Sequence, residues 1–329
     1  MADDLAVPQQ PPALSTELRE TIEAARRFEE AARARNTRRA YASDWADFVA
    51  YCSRHGFPVL PSTDRTVQLY ITYLAYAHKP RPLNPATIGR RLAAIAAKHR
   101  ESGFISPTEM IVVRNAWAGI RRSLRTKPKP KRAITSDELR ALLEPIGRER
   151  PIDLRDRAIL LLGFAAALRR SELAALAADQ VAFESRGVVL TLPYSKTNQE
   201  GEPERVAVAR GEDAQTSPPA ALRAWLDVAQ ISEGPIFRRI DRHGNIASEG
   251  LSPAAIASIV KRAAARIGLD PERVAGHSLR SGFVTTARRA GVSDWVIKRT
   301  TRHKSSAMLD RYTHARDLWD ENASGELGL

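Results

Sequence analysis

The first third of the chain repeats one pattern. Apolar residues recur three and four positions apart with polar and charged residues between them, the period of a helix with one buried face. This predicts a helix near 15–34 and a second after Asn36 carrying Tyr41, Trp45, Phe48, Val49 and Tyr51. A third follows Ser62 and Thr63, with Val67, Tyr70, Ile71 and Leu74. Asn84-Pro85, a capping residue with proline in the first turn, opens a fourth to about His99, and Ser106-Pro107 repeats that signal for a fifth to about Leu124. Gly56 and Gly103 mark helix ends. The aromatic stripes read as core. His55, His78, His99 and His243 have no partner pattern and read as surface or loop residues.

The second part is mixed. Thr135-Ser136-Asp137-Glu138 has the form of a capping box at a helix start. An apolar helix is predicted from about Leu154 to Ala167. Short β-branched runs then predict strands at Val181 to Phe183, Val188 to Leu192 and Val206 to Ala209. The gap Ser195 to Glu204 reads as a long hairpin loop. After it the pattern returns to helices, near 218–230, 253–267, 277–290, 293–300 and 305–312, with a short tail helix. The expected fold is mainly α with a small antiparallel β-sheet, an all-helical N-terminal domain preceding a mixed α+β domain. The boundaries are a tail at 1–14, a helical domain at 15–125, a basic Pro/Lys linker at 126–134 and a second domain at 135–329.

Composition adds a partner. The 329 residues carry 51 Lys and Arg against 38 Asp and Glu, a formal net charge of +13. Arg greatly outnumbers Lys, which suits bidentate contact with phosphate oxygens. A basic excess of this kind points to a polyanion, usually nucleic acid, while a merely basic protein stays open on composition alone. Charge concentrates between Arg114 and Arg132, and no acid occurs between Glu109 and Asp137. There, Thr126-Lys127-Pro128-Lys129-Pro130-Lys131-Arg132 cannot continue a helix and favours an extended linker able to track a phosphate backbone. No apolar run reaches the ~18 residues of a membrane span. Met1 to Pro12 has no basic start followed by an apolar core, so a cytoplasmic protein is expected. The single Cys52 excludes an internal disulfide framework and a cysteine-based zinc module. Phosphate-loop, dinucleotide, zincin and nucleophile-elbow motifs are missing, so no cofactor and no metal are expected.

The remaining chemistry lies in the second half: Leu168-Arg169-Arg170-Ser171-Glu172, Tyr194-Ser195-Lys196-Thr197, Gly276-His277-Ser278-Leu279-Arg280, His303, and Arg311-Tyr312-Thr313-His314. Arg169 with Glu172, and His277 with Arg280, stand three apart, which places each pair on one helix face. Alone, each piece has a plain reading: a helix ion pair, a turn lysine, a capping histidine, a packing tyrosine.

As an ordered set, Arg169, Lys196, His277-x-x-Arg280, His303 and Tyr312 resemble the motif of the tyrosine recombinases, the phage-integrase family with its Cre-like and Xer-like members. The resemblance covers most of the chain. It implies DNA cleavage and rejoining through a covalent 3′-phosphotyrosyl link at Tyr312, without ATP or metal. Arg169 and Arg280 would clamp the non-bridging oxygens. Lys196 would be the general acid, His277 would handle the tyrosine proton, His303 would donate a hydrogen bond to the phosphate, and Glu172 would orient an active-site cation. It also implies a double-stranded DNA partner with a specific site, a tetramer on two such sites, a Holliday junction, and a bacterial, phage or plasmid origin. Candidate DNA contacts are Arg38, Arg39, Thr87, Arg90 and Arg91 in the helical domain, Lys127, Lys129, Lys131 and Arg132 in the linker, and more weakly Lys261, Arg262 and Arg266. The family usually has glycine where this chain has Ala167 and Arg302. Arg302 either adds a phosphate contact or alters how closely the backbone approaches DNA. Two other readings stay open: relaxation of DNA in the manner of a type IB topoisomerase, and a catalytically silent DNA-binding regulator of the same fold.

Overall fold

The computed structural model describes residues 15–31, 35–124, 131–193, 203–303 and 309. The chain divides into two compact units, Met1–Pro128 and Lys129–Leu329. Lys127, Lys129, Lys196, Tyr312 and the expected 305–312 and tail helices lie outside the described residues, Leu309 excepted.

The first unit is helical: α1 Thr16–Ala31, α2 Arg35–His55, α3 Asp64–Tyr76, α4 Pro85–Glu101 and α5 Ile111–Ser123. Caps set the starts of α3 and α4. Thr63 accepts from the Thr66 amide at 3.1 Å, and Asn84 from the Thr87 amide at 2.9 Å. The apolar faces meet in one core built from Phe48, Val67, Tyr70, Ile71, Leu74, Ile88 and Ile95. Cys52 is buried in it, and burial pushes its thiol up to about 11.

Two expectations fail here. The helix read from Pro107 breaks at once: Ser106 caps it by accepting from the Thr108 amide, but the backbone closes only a 3-10 turn at Pro107–Glu109, with the Met110 amide on the Pro107 carbonyl. Met110 is then extended and α5 starts at Ile111. His99 is not a surface residue but is fully buried. Its Nε2 accepts from the Ser62 amide at 3.0 Å, so its Nδ1–H donates to the Ile95 carbonyl at 2.9 Å. One neutral ring thus satisfies a loop amide and a helix carbonyl without water.

The second unit runs α6 Ser136–Leu143, α7 Pro151–Ala165, α8 Arg170–Ala175, β1 Val181–Glu184, β2 Gly187–Leu192, β3 Glu204–Ala209, α9 Pro218–Ala229, β4 Arg238–Ile240, β5 Ile246–Gly250, α10 Pro253–Arg266, α11 His277–Arg289 and α12 Asp294–Thr301. Thr135 and Glu138 form the expected capping box at α6. β1, β2 and β3 make one antiparallel sheet in that order, with Val181 opposite Leu190 and Leu190 opposite Val206. From Ala158 onward α7 is apolar all round and packs on two sides: Ala158, Ile159 and Leu162 face a core with the sheet and Trp225, while Leu160 and Leu161 face a second core with α6, α10 and α11.

The hairpin β4–β5 was not foreseen. Its strands are three and five residues long and mostly polar, too short to show a period of two. What defines it is the turn, where the Asp241 carboxylate accepts from the His243 amide at 2.7 Å and from Asn245 Nδ2 at 2.8 Å.

Candidate active site

α7 ends and α8 begins within a few residues, and the turn between them sets Arg169. Ala167 adopts φ 46°, in the left-handed region, with its amide donating to the Phe164 carbonyl at 2.9 Å. Arg169 then caps α8. Glu172 reaches back so that its Oε2 accepts from the Arg169 amide at 2.8 Å, while its Oε1 accepts from Arg169 Nη1 at 2.5 Å. The Arg169–Glu172 pair read from sequence as a helix-face pair is therefore a capping pair that locks the arginine at a helix start.

α11 brings His277 and Arg280 to the same place. Gly276 permits the approach: a Cβ there would sit 3.0 Å from Arg170 Cβ. Arg280 is 1% exposed. Its Nη1 donates to the Ala167 carbonyl at 2.6 Å and its Nη2 to the Thr301 carbonyl. The planar guanidinium thus spans the two helix ends that carry Arg169 and His303.

α12 delivers His303 through a second left-handed residue, Arg302, at φ 56° and ψ 43°. Both positions where the family usually has glycine are therefore at positive φ, the conformation glycine adopts without Cβ cost. His303 Nδ1 lies 2.8 Å from Thr301 Oγ1, and the same hydroxyl donates to the Ile297 carbonyl at 2.7 Å. A hydroxyl has one proton, so with that bond made it accepts from the histidine Nδ1–H. Arg302 turns its side chain inward, and its Nη2 donates to Glu172 Oε2 at 2.5 Å.

Three guanidiniums, Arg169, Arg280 and Arg302, here stand against two carboxylates, Glu172 and Glu204. The positive balance is felt by the histidines. Burial, then the charges of Arg280 and Arg169, pushes His303 down to about 3. His277 is also pushed below its ordinary value, by packing on its inner side and by Arg280, Arg169 and Arg170, although its ring remains accessible. Both rings are neutral at neutral pH. The site can bind an anion between fixed guanidiniums and accept a proton on imidazole. Among the described residues, no cluster of three metal-ligating side chains occurs, and no helix is long and apolar enough to cross a membrane.

The structure thus gathers Arg169, Glu172, His277, Arg280 and His303. Leu309, three residues before Tyr312, is fully buried against Val284, Ala287 and Ile297 of α11 and α12. Sequence reasoning missed Thr301 and Glu204. The first had a signal, since Thr301 follows Ile297 by four and shares its buried face. Glu204 had none, since its role depends on a partner 98 positions away.

The candidate DNA contacts divide by environment. Arg38, Arg39 and Arg90 are exposed and Thr87 half-buried. Arg90 clasps Asp44 through Nε and Nη2, at 2.8 and 3.0 Å. Arg91 has a side chain only 12% exposed, paired with Asp47, and its Nη1 donates to Tyr70 Oη at 2.9 Å. Lys131 donates to the Glu272 carbonyl and Arg132 pairs with Glu138. Lys261 pairs with Glu272 at 2.7 Å and Arg262 lies 3.6 Å from Asp156.

Residues 132–318, more than half of the chain, match the phage integrase family. An integrase/recombinase xerD homolog of Selenomonas ruminantium is 38% identical over 306 residues, spanning 92% of this chain and 88% of that protein. The chain belongs to the phage integrase family, the tyrosine recombinases. This tyrosine recombinase is also 28% identical over 299 residues to tyrosine recombinase XerD of Caulobacter vibrioides, covering 87% of this chain and 88% of that one. Two solved structures share its fold. The Tn1549 transposon integrase in complex with transposon right end DNA aligns at TM-score 0.62 and 14% identity, over 92% of this chain and 96% of that one. A lambda integrase dimer bound to a COC′ core site aligns at 0.58 and 17%, over 93% and 83%.

Proposed function

We propose that this tyrosine recombinase cuts and rejoins DNA at a specific site through a covalent 3′-phosphotyrosyl intermediate. The observation that carries this reading is the bracing of Arg280 between the carbonyls of Ala167 and Thr301, which draws Arg169 and His303 to one guanidinium. Arg169 and Arg280 neutralise the charge that grows on the non-bridging oxygens. The Tyr312 hydroxyl attacks phosphorus, the 5′ oxygen leaves, and Lys196 gives that oxygen its proton. Neutral His277 takes the proton from Tyr312, and His303 serves the phosphate. The phosphotyrosyl ester keeps the energy of the broken phosphodiester, so a 5′ hydroxyl from a second DNA can reverse the step.

In this reading, residues 15–125 and 135–329 both engage the duplex and the basic segment 126–134 joins them. Arg38 and Arg39, exposed at the start of α2, are the foremost contacts of the first unit. Four protomers act on two sites through a Holliday junction, inside a bacterial cytoplasm at the nucleoid.

The test is a covalent adduct. Wild type and Tyr312→Phe are incubated with DNA flanking the gene, intact and nicked, then denatured and resolved on a gel. An adduct lost in Tyr312→Phe, together with recombinant product, supports the proposal. An adduct with supercoil relaxation and no recombinant makes the protein topoisomerase-like. DNA binding without any adduct makes it a silent regulator.

A further inference from the structure

Arg302 is costly where it stands. A left-handed residue at the end of α12 needs no side chain, and glycine serves best there. This arginine is nevertheless folded inward until its side chain is 5% exposed. Nη2 is used on Glu172 Oε2 at 2.5 Å. Nε lies 3.4 Å from Glu204 Oε2 at the start of β3, close enough for charge attraction but not aligned as a hydrogen bond. Among the described residues, Arg302 Nε, Arg302 Nη1 and Glu204 Oε2 are buried without a hydrogen-bond partner. A buried charge is rarely left so incompletely satisfied unless its position serves something else.

Glu172 is the place where it acts. Its Oε2 already takes the Arg169 amide and the Arg302 guanidinium, so Arg169 Nη1 meets only Oε1. Without Arg302 the carboxylate could turn and take the Arg169 fork on both oxygens, drawing that guanidinium toward itself. We propose that Arg302 is a positioning residue that, anchored by Glu204, holds Glu172 in one orientation and so fixes where Arg169 meets the scissile phosphate. This rests on the strand-cleavage reading of the site given above. A misplacement of about 1 Å in such a group is worth on the order of a hundredfold in rate.

The test is single-turnover cleavage of a nicked DNA that traps the adduct, with DNA affinity measured in parallel. Arg302→Gly suits the backbone and should fold. It is expected to lower the cleavage rate constant at least ~tenfold, with the reacting fraction unchanged and DNA affinity within about threefold of wild type. Arg302→Lys, which keeps a point charge but not the fork, is expected between the two. Adding Glu172→Gln to Arg302→Gly should cost no more than Glu172→Gln alone, since the effect passes through that carboxylate. Three results would overturn the proposal. Losses that multiply mean that Arg302 acts elsewhere, affinity falling in step with rate means a direct DNA contact, and a smaller reacting fraction at unchanged rate means a structural role only. Wild type that makes no Tyr312-dependent adduct overturns instead the strand-cleavage reading, and this proposal with it.

Discussion

Arg280 Nη1 donates to the carbonyl of Ala167 at 2.6 Å across 113 residues of sequence. Ala167 is left-handed, and the other carbonyl on this guanidinium, that of Thr301, immediately precedes the second left-handed residue of the site, Arg302. Each unusual turn ends a helix so that a carbonyl faces inward instead of continuing a ladder, and one arginine ties the two together. Lysine has no planar fork and cannot span both. Arg280→Lys is therefore expected to lower cleavage of nicked DNA at least ~100-fold. Leaving a buried carbonyl unpaired should cost about 1–3 kcal/mol in urea unfolding. Wild-type stability in this variant would show that the carbonyls are not braced by Arg280.

Ala167 itself offers a gentler probe. Glycine relieves about 1 kcal/mol of left-handed strain and gives up a buried methyl worth about 0.8 kcal/mol, so Ala167→Gly should be near neutral in stability and cleavage. Valine is β-branched and poorly tolerated at positive φ. Ala167→Val should destabilise by about 2 kcal/mol or more and slow cleavage by moving the carbonyl that Arg280 needs. Equal behaviour of the two variants would mean that the turn is not held as described.

Much of this was legible beforehand, and the reasons differ by element. Thr135 and Glu138 announced α6 because a capping box is a local contact between side chain and backbone. That Arg169, His277, Arg280 and His303 gather at one place was legible because their order resembles the motif of a known family. The carbonyls of Ala167 and Thr301 were invisible, since every residue has a carbonyl and only the fold decides where it points. His99 was misplaced for a related reason: its partners are the amide of Ser62 and the carbonyl of Ile95, which leave no mark in side-chain pattern. Ser106-Pro107 shows the limit of capping signals, because a cap marks where a turn starts and not how far it runs.

The histidines predict how stability changes with pH. His303 is held at about 3, below the ordinary value near 6.5, so between these limits the unfolded chain binds more protons than the folded one. Its stabilising contribution is complete above about pH 6.5 and is lost as pH falls toward 3. His277 acts in the same direction. Urea midpoints of wild type should fall from about pH 7 to about pH 4.5, and His303→Gln should flatten that fall. An equally steep fall in the variant would assign the acid sensitivity to other groups.

In the first unit, exposure and pairing separate two kinds of arginine. Arg39 is exposed near the start of α2, whereas Arg91 is largely buried and holds Asp47 and Tyr70. Arg39→Ala should weaken DNA binding and reduce the magnitude of the salt dependence of log K by about one phosphate contact, roughly 0.9. Arg91→Ala should leave that slope unchanged and lower the melting temperature instead, since it strips the half-buried Asp47 carboxylate and the buried Tyr70 phenol of their shared partner. The reverse assignment would follow if Arg91→Ala alone changed the salt slope.

Thr301 decides which ring nitrogen of His303 carries the proton. While its hydroxyl donates to the Ile297 carbonyl, the neutral ring carries its proton on Nδ1 and presents Nε2 as an acceptor. In the neutral ring, a hydrogen bond from Nε2 to a phosphate oxygen requires the hydroxyl to rotate and donate to Nδ1, which moves the ring proton to Nε2. The helix carbonyl of Ile297 already accepts within its own ladder, so losing the extra bond costs on the order of 1 kcal/mol, within what an anionic phosphate can return. Serine keeps this rotor and valine removes it. Thr301→Ser should therefore cleave nicked DNA near the wild-type rate, whereas Thr301→Val, similar in volume, should lose about tenfold or more. Nitrogen-15 shifts of His303 should report Nδ1–H in the free protein and Nε2–H when DNA is bound to the Tyr312→Phe variant. A ring that keeps Nδ1–H and gains no Nε2–H on binding DNA would mean that His303 accepts a hydrogen bond in the complex and that the phosphate is served by the arginines alone.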